Sequence, residues 1–122
     1  MTRATGAGCR LAVVIAICYT LLVAPSLAGR PTMDECFEGS DFIVNAALSR
    51  DAGVAAGAFL QRMELDFAAI HDLPRELRWF AHDADDEAFL LEAARMVFER
   101  PEAPDAHRSD FLYACLERIA AE

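Results

Sequence analysis

The residues able to do chemistry in this chain are few and scattered. They are His71, His82 and His107, the serines at 40, 49 and 109, and an acidic run over Asp83, Asp85, Asp86 and Glu87. The acidic run has the opening of a calcium loop. An EF-hand loop starting at Asp83 needs glycine at its sixth position and glutamate at its twelfth, where this chain has Ala88 and Ala94. The acids instead suit a helix N-terminus, where the dipole favours negative charge. No histidine lies three or four residues from another, and none neighbours a cysteine, so no metal site is expected. His71 and His82 are placed to close helices, where a cation suits the dipole. None of the three serines sits in a Gly-x-Ser-x-Gly elbow. The expectation is therefore no catalytic residue, no cofactor site, no metal site and no enzymatic activity.

One short stretch points to binding. Arg75, Arg78, Trp79 and Phe80 lie close together, and Arg and Trp are enriched where partners dock. Adjacent residues on a helix point about 100° apart, so Trp79 and Phe80 do not readily enter one core together. Either Trp79 packs inside while the arginines pair with local acids, or the aromatics form a patch for a partner.

The cysteines speak about compartment. Arg3 and Arg10 precede the 14-residue apolar stretch Leu11–Ala24, then Pro25 and Ser26-Leu27-Ala28. This is the pattern of a secretory signal peptide cut after Ala28. The stretch falls short of the roughly 20 residues a membrane span needs, so no stable anchor is expected after cleavage. Cys9 and Cys18 would leave with the leader. Cys36 and Cys115 would remain in an oxidising compartment, where a disulfide between them is expected. No Cys-x-x-Cys motif is present, so the pair is read as structural. The remaining residues, 29–122, make a single domain whose core has little margin at this size.

Charge excludes some partners. Removing Arg3 and Arg10 takes the 11 basic residues to nine against 20 acids, a formal charge of −11. There is no lysine, which fits the base composition of a GC-rich bacterial genome. Such acidity repels phosphate backbones and anionic lipid, so no nucleic-acid or membrane-surface partner is expected.

Helical periodicity organises the rest. A helical turn over 34–38 should turn Cys36 and Phe37 inward, with a break at Gly39–Ser40. Ser40 would cap a helix over 41–51, closed by Gly53. A second helix over 55–71 carries Phe59, Leu60, Met63, Phe67 and Ile70 on one stripe. A short third helix over 74–81 starts at Pro74, with Leu77 and Phe80 or Ala81 inward. The fourth, over 83–100, stops at Pro101. Its paired apolar residues, such as Phe89 with Leu90 and Ala93 with Ala94, make a wide stripe suited to a central helix. A last helix begins at Pro104 or Asp105, with Phe111, Leu112, Cys115, Leu116 and Ile119 inward. The fold class is all-α: a small bundle of four or five helices stapled by one disulfide, preceded by a cleaved signal peptide.

Export, small size and helical class together imply a periplasmic or secreted module of protein-binding, inhibitor or immunity type. Its partner would be another exported or envelope protein. The outline is also similar to that of the small periplasmic acid-stress chaperones of enteric bacteria. That resemblance implies a domain that loosens in acid and shields client proteins.

Overall fold

The computed structural model describes residues 31–121. The signal peptide expected over 1–28, with Cys9 and Cys18, lies outside the described residues. Among the described residues four helices form, α1 Met33–Asp51, α2 Ala56–Ile70, α3 Ala84–Glu99 and α4 Pro104–Ala120, with a 3-10 turn at Arg75–Leu77. There is no strand among the described residues.

α1 starts well before Ser40. Thr32 Oγ1 accepts the Glu35 N–H at 3.2 Å, and Glu35 Oε1 accepts the Thr32 N–H at 3.0 Å. This capping box satisfies two donors that a helix start leaves orphaned. The helix then runs through Gly39 and Ser40, where a break was expected. Gly39 is small because the Phe111 ring of α4 crosses there, and a Cβ would lie 2.7 Å from two ring carbons. Ser40 is buried, and its hydroxyl donates to the Phe37 carbonyl at 2.7 Å, so it stays satisfied inside the helix. Continuing the helix turns Phe37 outward, 51% exposed, against the inward position expected for it. Gly53 closes α1 with φ 95°, a conformation that glycine adopts without penalty.

α1 packs chiefly along α4 and also on α3, while α2 packs on α3. Both α1 and α3 therefore have neighbours on two sides, and the central position expected for the fourth helix is shared. Phe80, Phe89 and Phe111 form an aromatic triangle at the centre, with ring centroids 5.6 to 6.1 Å apart. Such tilted and offset pairs add to plain area burial. The inner stripe of α4 is narrower than the periodicity suggests. His107, Phe111 and Cys115 are buried at i, i+4 and i+8, whereas Leu116 is 37% exposed. Cys36 and Cys115 are joined in a disulfide across the α1–α4 seam, with Cα atoms 5.8 Å apart.

The helix expected over 74–81 shrinks to one 3-10 turn. Trp79 has φ 55°, which a right-handed helix cannot contain. Leu77, expected inward, is 66% exposed as a result.

Arg50, at the end of α1, fixes the far end of the bundle. Its Nη1 donates to the carbonyls of Val97 (2.8 Å) and Arg100 (3.0 Å), and its Nη2 to that of Glu102 (2.8 Å). A cation thus caps the C-terminus of α3 and holds the connector to α4.

Candidate functional site

The segment between α2 and α3 carries the residues expected to bind a partner. Arg78 folds back, donating from Nε to the Leu73 carbonyl and from Nη2 to the His71 carbonyl, both at 2.7 Å. Its charge is thereby committed to the C-terminal end of α2. Arg75 Nη2 lies 3.4 Å from Asp83 Oδ2. The left-handed turn at Trp79 costs about 1–2 kcal/mol for an L-residue. It aims two adjacent aromatics differently: Trp79 lies edge-on to Phe42 at 5.8 Å, while Phe80 enters the core. Phe80 is therefore fully buried and cannot serve as a partner contact, which corrects the expectation for that residue. Trp79 is half-buried and Arg75 exposed, so a partner can reach both.

A cleft of about 210 Å³ opens beside this segment. Phe42, Met63, Phe67, Ile70, Leu77 and Trp79 line it, with Asp66 and Arg78 as its charged members. Leu77 was missed by periodicity because it was assigned to a helix that does not form.

His82 ties this segment to α1. Nδ1 donates to the Arg75 carbonyl at 2.7 Å, and Nε2 meets Glu35 Oε2, the carboxylate that also completes the capping box. Both partners are acceptors, so only the doubly protonated ring satisfies both. Burial alone would lower the pKa of His82. The bond to Arg75, the bond and charge of Glu35 and the charge of Asp86 outweigh it, so the net shift is upward. A raised histidine pKa gives stability that is complete below the ordinary value near 6.5 and is lost as pH rises through the raised one. The melting temperature should accordingly fall between about pH 6 and pH 8, and His82→Gln should flatten that slope. Equal melting temperatures for the parent protein at both ends would contradict this.

The acidic run divides in two. Asp83 caps α3, accepting the Asp86 N–H at 2.9 Å, as its position at a helix start suggests. Asp86 was missed: it is 0% exposed and paired with Arg118 of α4 at 2.9 Å, while also accepting the His82 N–H at 3.2 Å. Its signal was its phase, since Asp86, Leu90, Ala94 and Val97 share the buried stripe of α3. Burial raises the pKa of Asp86 first, and Asp83 adds to this. The Arg118 bond and charge and the His82 N–H pull it back only in part. The remaining histidine of the segment, His71, meets Glu87 at 2.6 Å on the surface.

A second cleft, about 300 Å³, runs along α3 and α4 and is lined by Phe89, Met96, Arg100, His107, Asp110 and Phe111, among others. At its end Glu102, His107 and Asp110 each bring one donor atom within 4.8 Å of the other two. A search for paired histidines misses this group because its other two members are carboxylates.

No family model matches the chain, and no curated protein or solved structure matches it. No helix among the described residues is long and apolar enough to cross a membrane.

Proposed function

We propose that the chain is an exported, non-enzymatic protein-binding module of inhibitor or immunity type, acting in the periplasm or outside the cell. The observation that carries this reading is the apolar cleft beside Trp79, with Leu77 standing 66% exposed at its edge. An exposed leucine beside a concave aromatic floor is the form of a docking anchor. The leader pattern over 1–28 and the disulfide, which persists in oxidising compartments, support export. A formal charge of −11 after leader removal favours a partner with a basic face, because complementary potentials steer encounter.

The alternative, an acid-stress chaperone, needs a domain that loosens as pH falls. The two groups with raised pKa act in the other direction. His82 and Asp86 each hold a proton more tightly folded than unfolded, so acid strengthens their contribution to the fold. Neither group therefore supplies the loosening that the chaperone reading needs.

Leu77→Asp tests the reading, since a side chain so exposed can be changed without disturbing the core. Affinity capture from an envelope extract should retain a specific partner on the parent protein. The variant should lose it, with binding weakened about tenfold or more. Identical capture by both baits, with unchanged circular dichroism, would remove the cleft from consideration.

A further inference from the structure

We propose that Glu102, His107 and Asp110 bind one divalent transition-metal ion of the zinc class, at a site separate from the Leu77 cleft. His107 and Asp110 occupy positions i and i+3 on the first turns of α4, and Glu102 lies in the connector just before it. The His107 side chain is only 5% exposed. Nε2 lies 3.0 Å from the Arg100 carbonyl, a distance at which it must donate.

Arg50 Nη1 is also 3.3 Å from Nε2, but its two protons are spent on the carbonyls of Val97 and Arg100. It has none left to give the ring, so Nε2 carries a proton, and in the neutral ring Nδ1 presents a lone pair. Among the described residues no group hydrogen-bonds to Nδ1, and the ring's bonds are made at Nε2. Nδ1 lies 4.0 Å from Glu102 Oε2, and one donor atom each from His107, Glu102 and Asp110 fall within 4.8 Å of one another. A neutral imidazole nitrogen grouped with two carboxylates is a donor set for a divalent cation.

The arrangement is that of a metal-binding histidine. Its second nitrogen donates to a backbone carbonyl, which fixes the tautomer and raises the basicity of the ligating nitrogen. Arg50, by holding the Arg100 and Glu102 carbonyls, holds that carbonyl in place in turn. One imidazole with two carboxylates selects a borderline ion, such as zinc, over calcium or magnesium, which take oxygen ligands. Tetrahedral zinc wants ligand atoms about 3.3–3.5 Å apart, so atoms now spread over up to 4.8 Å must draw in by up to about 1.5 Å. The half-buried Glu102 and exposed Asp110 side chains have room to do so. The fourth position faces the larger cleft, which His107 and Asp110 help to line, and is open to water or to a ligand group from a partner.

The test is titration of the purified, oxidised protein with zinc by calorimetry, and with cobalt by visible absorption, at about pH 7.5. One ion per chain is expected, with cobalt d–d bands of a low-coordinate N/O site. Because His107 is buried, its replacement risks the fold, and the carboxylates carry the test instead. Asp110→Asn and Glu102→Gln should each weaken binding by on the order of 10- to 100-fold, with unchanged circular dichroism. Asp105→Asn, on the first turn of α4 but outside the group, should leave it unaltered. On zinc addition the His107 Nδ1 resonance should shift while the Nε2 proton remains. No binding at millimolar zinc, or binding that survives both carboxylate variants, overturns the proposal.

Discussion

Replacing Cys36 and Cys115 together by alanine is expected to lower stability by about 4–5 kcal/mol. The bridge spans 79 residues of sequence, nearly the whole described chain, so its loss releases a long loop in the unfolded state. Loop-closure entropy alone gives a value in that range for a closure of this length. Both cysteines are fully buried, and two truncated side chains add a packing loss. A domain of this size has only about 5–15 kcal/mol in total, so the variant should be partly unfolded near body temperature. Denaturant titration should show a lower midpoint and a steeper slope, because the unbridged unfolded chain exposes more surface. The bridge joins α1 to α4, the pair with the most extensive contact, so it keeps the bundle's main seam together when the rest opens. An unchanged midpoint would mean that the unfolded chain is already confined without the bond.

The features that could be read from sequence are those with local or forced signals. Periodicity places α2 and α3 to within a few residues, and cysteine arithmetic leaves one partner for Cys36. The features that were missed are set by contacts remote in sequence. Gly39 and Ser40 look like a helix break by propensity, yet the Phe111 ring, more than 70 residues on, crosses at Gly39, and Ser40 is buried beside it in sequence. Trp79 takes a left-handed conformation because Phe80 must enter the core from a segment that Arg78 has pinned to the end of α2. The Glu102–His107–Asp110 group depends on a connector conformation that Arg50 imposes from α1. Asp86 is a different case. Its helical phase was in plain view, but an acid near a helix start is usually solvated, and only Arg118 makes the buried position tenable.

That buried pair should show the second large effect. Arg118→Met keeps an alkyl chain over the Phe89 ring, where the guanidinium carbon now sits 4.5 Å from the centroid, but removes the charge. Asp86 then remains fully buried with only the His82 N–H to bond it. Breaking a buried pair from one side costs about 3–5 kcal/mol, most of it the penalty of an uncompensated charge. The cost should depend on pH in a definite direction. Removing Arg118 deletes two of the influences that pull the Asp86 pKa down, leaving burial and Asp83 to raise it further. A carboxyl with a raised folded pKa takes up its proton more readily in the fold, so the deficit should be largest near about pH 7 and shrink towards about pH 4–5. Adding Asp86→Asn to Arg118→Met should recover much of the loss at neutral pH. The amide oxygen still accepts the His82 N–H, and no buried charge remains. Urea unfolding of the single and double variants at both pH values would separate the two contributions. A deficit that is equal at both, or unrelieved in the double variant, would mean that Arg118 acts through its packing on Phe89 and not through the charge of Asp86.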